Sequence, residues 1–490
     1  MRKSAVAAAA VVIVIVGLGA AALPLAEEYS ARQIKAGIEA GGATVEAVDV
    51  GFLGRRVALR NLHTRQVGDV SIGRWEASGL SWSLGELLRG RSPLSGLQLG
   101  DPLQAGHLEL ADLRIVDDGA TWSIGSLVVD GFDLARYDTT GVGPLQFGTI
   151  AARIGKALSV ARFEQKQTVF SAVDQGDRTT IANFTVEKFD HGRIGAIALE
   201  GLETTPKAAP APVFRMADVK VAGLDLTRPL TALSSASWRP GMPIGRIGVD
   251  KASASGFSGE GLARYGISLG SITTETTHEG KEVSRSRTRI DGFVLAPPLT
   301  GLEAIQLRVA LQMMGLKEVR LGFDCSGSED RTKAELAIDR CMLAGPDLAE
   351  INFTGKLVHT DDAFWKAIDE GDSLALLRSK AALGAAKLVI ADKGLLERAL
   401  KAFGTTSGRT VPEMRTLVAR EVRQFQPSGV LITEELTKLL DTVARFVETG
   451  GTLTLDAKPD PPVGLDKASY FRIPGPDWVN LLGLTATLTK

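Results

Sequence analysis

Apolar and polar positions alternate in a short pattern that the chain uses repeatedly. Its clearest copy, residues 124–132, reads Ile-Gly-Ser-Leu-Val-Val-Asp-Gly-Phe, and residues 194–202 repeat it. Looser copies begin at four further positions: Ile72, Ala105, Met216 and Ile244. Alternation between two glycines predicts a strand of about five residues bounded by bends. Repetition predicts an extended stack of strands, although the uneven spacing of roughly 20 to 45 residues differs from that of a regular solenoid.

The strand-like pattern extends from Ala43 to about Thr300. Residues 45–50 and 57–62 flank a glycine-bounded segment and predict a hairpin. We expect few helical interruptions, at residues 83–89 and 228–235. Residues 305–358 predict a further antiparallel meander, which has one apolar face and one polar face. Its first strand would place four side chains on one face: Leu307, Val309, Leu311 and Met313.

The apolar period changes after residue 360. Helices are predicted at residues 361–378, 394–403, 411–425 and 433–448, and strands at 386–391 and 452–457. Pro412 falls at a helix start, where proline is tolerated, and Thr433 precedes an acidic first turn as an N-cap. We therefore divide the chain into six segments: an anchor (1–26), an exit helix (27–42), a repetitive sheet (43–300), a meander continuing that sheet (301–360), a helical insertion (361–449) and terminal strands (450–490).

The N-terminal segment predicts one membrane-spanning helix. Arg2 and Lys3 precede an uncharged stretch from Ser4 to Ala26. A helix of that length reaches roughly 30 Å, the thickness of a bilayer core. Basic residues before the span place the N-terminus in the cytoplasm and the rest of the chain outside. The alternative is a cleaved signal peptide, which also exports the chain. The centre of the predicted anchor is formed by Val11, Val12, Ile13, Val14, Ile15 and Val16.

Composition narrows the class of protein. The 490 residues carry a net charge of −1, so no global positive field attracts nucleic acid. Hydrophobic residues make up 44% of the chain, which excludes disorder along its whole length. The chain has 54 glycines, as a long sheet with many bends would require. Two cysteines are too few for a disulfide-rich scaffold or a cysteine metal site.

Cys325 and Cys341 flank a predicted turn, so their strands should be neighbours. Export favours a disulfide between them, which would contribute about 3 kcal/mol by restricting the unfolded chain. The apolar pattern raises an objection, because Cys325 is in phase with apolar Phe323 and Cys341 with polar Asp339. A bulge near residues 339–340 would bring both sulfurs to one face.

Catalytic motifs are weak. Residues 266–270 match the G-x-S-x-G pattern around Ser268, but that motif needs a strand, a sharp turn and a helix, and β-branched residues follow here. The five histidines form no metal-binding pair, and the chain contains neither a P-loop nor a G-x-G-x-x-G motif. We expect no catalytic site, no metal site and no cofactor, with hydrolase activity as the third-ranked hypothesis.

Large aromatic residues lie within the repeats. Trp75, Trp82, Trp122 and Phe132 either form a sheet core covered by helices or line an open apolar groove. Helical sequence is scarce before residue 300. A one-sided apolar sheet that lacks covering helices must fold over on itself or hold an apolar ligand.

A short cytoplasmic tip, one signal-anchor helix, a brief exit helix and glycine-punctuated strands together resemble the AsmA-like proteins of Gram-negative envelopes. TamB and the repeating β-groove lipid-transfer proteins are their wider relatives. The resemblance covers about residues 1–300 and rests on this architecture and on the pattern at 124–132 and 194–202. The helical segment 361–448 departs from a plain groove.

The residue patterns predict a mainly β fold with a C-terminal α+β part, and the resemblance implies that the elongated antiparallel sheet forms a taco-shaped groove in the periplasm. It implies a protein anchored in the inner membrane that binds or transfers phospholipid acyl chains and supports outer-membrane biogenesis without catalysis. We expect the inner membrane, phospholipid acyl chains and other envelope proteins as partners, and no nucleic acid. The second hypothesis is a closed β-scaffold that mediates protein–protein interactions in the envelope.

Overall fold

The computed structural model describes residues 23–490 apart from 66–67, 82–97, 118, 142–146, 173–175, 208, 210, 281, 427–431 and 468–476. The protein is mainly β, and the 19 strands found among these residues belong to one open sheet. The chain divides into two compact units, which we describe separately. The first comprises Met1–Pro210 and Gly223–Pro240, and the second Ala211–Ala222 and Gly241–Lys490.

The first unit begins with helix α1 at residues 23–40. Eight strands follow: β1 Ala47–Gly51, β2 Arg56–Thr64, β3 Asp69–Ser78, β4 Leu103–Asp117, β5 Ala120–Leu134, β6 Leu158–Ala172, β7 Arg178–Asp190 and β8 Arg193–Thr205. Helix α2 (Phe147–Ala157) connects β5 to β6, and helix α3 (Thr227–Leu233) follows strand β9 (Phe214–Asp225). The predicted exit helix, the first hairpin and a helix near residues 228–235 are confirmed.

The second unit contains most of β9 and ten further strands. Those strands are β10 Gly248–Phe257, β11 Ile267–Glu279, β12 Val283–Leu295, β13 Val319–Asp330, β14 Glu335–Gly345, β15 Ala349–Val358, β16 Ala382–Asp392, β17 Thr452–Ala457, β18 Val463–Gly464 and β19 Leu484–Thr489. Its helices are α4 Glu260–Tyr265, α5 Ile305–Met313, α6 Asp362–Glu370, α7 Ser373–Leu377, α8 Leu395–Ser407, α9 Val411–Arg423, α10 Glu434–Thr449 and α11 Trp478–Leu481. The helices and strands predicted after residue 360 are confirmed, except that the single helix predicted at residues 361–378 is two helices, α6 and α7, because Gly371 ends α6 in a left-handed conformation.

The sheet is an antiparallel meander in chain order. In the first unit each strand from β1 to β8 pairs with the next, so β1 and β8 lie at opposite ends of an open ladder. In the second unit the order from β10 to β17 is also sequential, and β19 then pairs with β17. Consecutive antiparallel strands need only short turns, which explains the glycine-rich connections.

Two lines of bends cross the strands of the first unit. The first line joins residues that lie opposite one another on β2 to β8: Asn61, Gly73, Asp112, Gly125, Gln167, Ala182 and Gly201. Along it, left-handed residues alternate with small ones, with φ of 51° at Asn61, 54° at Asp112, 53° at Gln167 and 65° at Gly201. The second line comprises Gly106, Gly131, Ala161, Lys188 and Gly195, with φ of 61° at Gly131 and 54° at Lys188.

These lines account for the repeated sequence pattern. In residues 124–132, Gly125 lies on the first line and Gly131 on the second. Each line adds one residue to both paired strands, so the apolar positions on either side are three residues apart rather than two. Leu127 and Val129 therefore share one face with Ile124 and Phe132. Extra residues of this kind bend a strand and increase its twist.

Helices cover parts of the sheet in both units. In the first, Ile34 of α1 is buried in a cluster with Val57, Leu59 and Ala77 of the sheet. In the second, Phe364 and Trp365 of α6 pack with Leu336 and Leu357, and α10 contacts β17 and β19. The apolar stripes of α1, α6 and α10 are therefore buried against strands.

Three helices contradict the predicted strand pattern, and one of them is the short helix α4, which precedes β11. Residues 305–313 were expected to form the first strand of a meander but form α5. Leu307 and Leu311 are four residues apart, so they also lie on one face of a helix. Leu, Gln, Ala and Met in this segment favour a helix, and Leu311 is buried. Helix α2 is absent from the prediction, although Ala152 and Ala157 of this helix are buried.

Within the described part of the chain, none of the helices combines the length and the apolar character that spanning a bilayer requires. The predicted anchor core, Val11, Val12, Ile13, Val14, Ile15 and Val16, lies outside the described residues, as does the helix expected at residues 83–89.

Candidate functional site

The first unit carries a broad apolar face. Residues directly opposite each other on antiparallel strands project from the same side of a sheet, so the register identifies rows of side chains. One row contains Val57, Ala77, Leu108, Val129, Phe163, Val186 and Ile197. The adjacent rows contain Leu59, Trp75, Leu110, Leu127, Gln165, Phe184 and Leu199, and then Leu62, Ile72, Leu113, Ile124, Thr168, Ile181 and Leu202.

The second unit has a comparable face. Its most apolar row crosses nine strands and contains Ala254, Ile272, Ile290, Phe323, Leu343, Ile351, Ile390, Leu453 and Leu488. The next row contains Ala252, Thr274, Thr288, Cys325, Cys341, Phe353, Leu388, Leu455 and Ala486. We call these rows, in each unit, the apolar face.

The apolar face is buried only in part. Near α1, Val57 is 1% exposed, and near α10, Leu453 is 3% exposed. Away from these helices, Phe163, Phe184 and Leu199 are of intermediate exposure. Leu343 is 39% exposed and Trp122 is 52% exposed. Because large apolar side chains stay partly accessible along successive strands, this face presents apolar surface to a ligand or partner.

The opposite face is charged. In the first unit Arg56 Nη2 donates a 3.0 Å hydrogen bond and Arg74 Nη2 a 2.6 Å hydrogen bond to Glu76 Oε2. These two guanidinium groups lower the pKa of Glu76 to about 2. In the second unit Arg287 donates two hydrogen bonds to the carboxylate of Asp324, from Nε to Oδ1 at 2.7 Å and from Nη2 to Oδ2 at 2.5 Å. These hydrogen bonds lower the pKa of Asp324. The charged face is therefore suited to solvent, and apolar ligands would meet the other side.

The predicted groove residues occupy different environments. Trp75 and Phe132 lie on the apolar face and pack against the cluster that contains Ile34 of α1, so both belong to a helix-covered core. Trp122 lies on the same face, where its ring meets Phe170 edge-on with centroids 5.5 Å apart. Trp82 lies outside the described residues.

Other side chains of the apolar face were missed by sequence reasoning, notably Phe163, Phe184, Leu199 and Ile181. Phe163 and Phe184 stack edge-on with centroids 6.0 Å apart. The three-residue step between apolar positions at each bend was the signal that could have identified them, since a strict period of two assigns residues on either side of a bend to opposite faces.

Cys325 and Cys341 form a disulfide between directly opposed positions of β13 and β14. The register shifts between Ser326 and Gly327, where Asp339 is the extra residue on β14. This bulge returns Cys341 to the apolar face, which answers the objection from the apolar pattern. The disulfide thus lies within the second row of that face.

The remaining candidate residues do not converge. Ser268 is an exposed strand residue after Gly266, the left-handed end of α4, so the order is helix, turn and strand rather than the reverse. His63 lies 2.8 Å from Asp69, and His107 lies 2.6 Å from Asp130. Within the described part of the chain, no cluster of three or more His, Cys, Asp or Glu residues is arranged to hold a metal ion.

One family model matches residues 342–488, and its description reads "Uncharacterized protein". The matched segment runs from β14 to β19 and includes helices α6 to α11. No curated protein matches the chain.

Proposed function

We propose that this protein binds or transfers phospholipid in a Gram-negative envelope, with acyl chains lying on the apolar face. The observation that supports this most directly is the uninterrupted apolar row across nine strands of the second unit, β10 to β17 and β19, together with the partial exposure of Leu343. A phospholipid tail is an extended apolar chain, and rows of half-buried side chains offer it a continuous contact surface.

The proposed mechanism is transfer of acyl chains from water or membrane to the sheet. Burial of each CH₂ group contributes about 0.8 kcal/mol, so a chain needs only part of its length on the sheet to be retained. The two lines of bends in the first unit would curve its sheet around the apolar face, giving the groove that the AsmA-like resemblance implies. In this proposal an N-terminal helix anchors the protein in the inner membrane and the strands lie in the periplasm.

The test is the lipid content of the full chain purified from a Gram-negative host, measured by native mass spectrometry and by lipid extraction. We expect phospholipid in near-stoichiometric amounts. Trp122→Glu in the first unit and Leu343→Glu in the second should each lower that amount severalfold, because a carboxylate on the apolar face repels acyl chains.

Matched controls lie one residue away on the charged face. Ser123→Glu is the control for Trp122→Glu, and Met342→Glu is the control for Leu343→Glu. Both controls should retain wild-type lipid. A wild-type protein free of lipid, or equal loss from controls and face variants, would contradict the proposal.

The second candidate function is a scaffold that binds other envelope proteins. The packing of α1 and of α10 on the apolar face favours it, because these helices occupy surface that a lipid would need. A lipid-free and stable wild-type protein would favour this function.

A further inference from the structure

The apolar face of the second unit changes chemistry along β11 and β12. Ile272 and Ile290 form its apolar row on these strands. Further along the same face the opposed pairs are Thr274 with Thr288, Thr276 with Ser286, and His278 with Ser284. Five hydroxyl groups thus adjoin the apolar row, whereas β14 to β17 continue the corresponding rows mainly with apolar or small residues. One face therefore contains a boundary between hydrocarbon and hydroxyl surface.

A hollow of about 390 Å³ lies across this boundary. Ser286 and Thr288 line its hydroxyl side, and Phe323, Leu336 and Ile338 its apolar side. Gly327 lies between Ser286 and Ile338 in the same row, so no side chain separates these two residues. The volume falls within the roughly 300–1,000 Å³ typical of small-molecule sites.

The charges around the hollow select against a bare phosphate. Glu329 is the one ionisable side chain that lines it, and Arg246 neutralises this carboxylate across 2.7 Å. None of the lining residues is basic. Hydroxyl groups donate one hydrogen bond and accept two, so Thr288 retains capacity beyond its 3.1 Å contact with Thr274. Uncharged ester carbonyls and hydroxyls suit this lining better than an anion does.

We propose that the hollow binds the acylglycerol junction of a phospholipid, with ester groups at Ser286 and Thr288 and acyl chains along Phe323, Ile338 and the adjoining apolar row. This inference rests on the proposed function and adds the lipid's orientation and the chemical group that is recognised. The phosphate would lie outside the hollow, in solvent.

The test compares two probes on the full chain: vesicles of a diacylglycerophospholipid and a fluorescent-labelled long-chain alkane that lacks ester groups. The double variant Ser286→Ala, Thr288→Val removes both hydroxyls with little change of volume. We expect it to bind the phospholipid about tenfold more weakly, since two hydrogen bonds are lost. Binding of the alkane should be unchanged.

Thr276→Val is the matched control, because Thr276 opposes Ser286 in the same row but does not line the hollow. It should bind both probes as the wild type does, and thermal unfolding should show that all variants are folded. Unchanged phospholipid binding by the double variant, an equal loss for both probes, or an equal loss in Thr276→Val would overturn this inference while leaving the proposed function in place. A wild-type protein that binds neither probe would instead refute the proposed function.

Discussion

Glu76 shows how single residues stabilise the charged face. Its carboxylate accepts hydrogen bonds from Arg56 and Arg74 on β2 and β3, and its pKa falls from 4.5 to about 2. A carboxyl group whose pKa is lowered by folding stabilises the folded state above its unfolded pKa. That contribution is lost as the pH falls through the folded pKa.

We predict that Glu76→Gln lowers the free energy of unfolding at pH 7 by about 1–2 kcal/mol, allowing for partial solvent screening. The difference from wild type should shrink between pH 4.5 and pH 2, the window set by the two pKa values. Denaturant unfolding at a series of pH values measures this. In a double-mutant cycle with Arg56→Gln the losses should be less than additive, and strictly additive losses would argue against the pairing.

The cysteines illustrate the limit of residue-level prediction. Their pairing followed from export and from sequence proximity, and the required bulge was expected near residues 339–340. Register alone places Asp339 as the extra residue and both sulfurs on the apolar face. A one-residue shift in register moves every following side chain to the other face of the sheet. The local pattern therefore allowed Cys341 on either face, and only the strand pairing decided between them.

At the scale of the strand, the bend lines explain the two glycines of the repeat at residues 124–132. Gly131 itself adopts the left-handed conformation, whereas Gly125 lies opposite the left-handed residue Gln167. Gly131 adopts φ of 61°, and a Cβ there would lie 2.9 Å from the Cβ of Ala161. Gln167 adopts a left-handed conformation at φ of 53° on the other line. Left-handed backbone costs about 1–2 kcal/mol for a residue that has a side chain.

Gly131→Ala should therefore lower the free energy of unfolding by about 1–2 kcal/mol. Gly37→Ala on α1 is the control, because nothing lies within 4 Å of the added Cβ and alanine favours a helix by up to about 1 kcal/mol. The reciprocal change Gln167→Gly should be neutral or stabilising. Denaturant unfolding of the three variants tests this, and a strongly destabilised Gln167→Gly would show that the bends do not depend on left-handed strain.

Segments whose apolar residues follow only the strand spacing or only the helix spacing were predicted well. Segments whose apolar residues fit both spacings were not. Residues 452–457 alternate and form β17 with the predicted bounds, and residues 411–423 have a proline start and form α9. Residues 305–313 alternate too, yet Leu311 is buried in a helix. Short apolar runs fit both templates, so packing decides between them.

For the whole molecule, the predicted N-terminal anchor provides a direct test. The full chain should fractionate with membranes, and its intact mass should include residues 1–26. Val14→Arg should release most of it from membranes, since a central arginine opposes insertion by about 2.5–3.5 kcal/mol. Ser4→Arg, which extends the basic head, should leave membrane association intact. A shortened, released wild-type protein would indicate a cleaved signal peptide instead.

By itself, the sequence determined the mainly β class, the bends at the two glycines of the repeat and the C-terminal helices, because these depend on local periodicity and turn chemistry. The predicted strand of about five residues was wrong, since β5 continues through both glycines for 15 residues. Tertiary structure alone decided which residues share a face. Phe163, Phe184 and Leu199 join the apolar face through pairings between strands, and Trp75 and Phe132 become core because α1 reaches their cluster. The hollow at Ser286 and Ile338 likewise exists only after β12, β13 and β14 pair. Such neighbours are brought together by register and packing, which a local pattern does not contain.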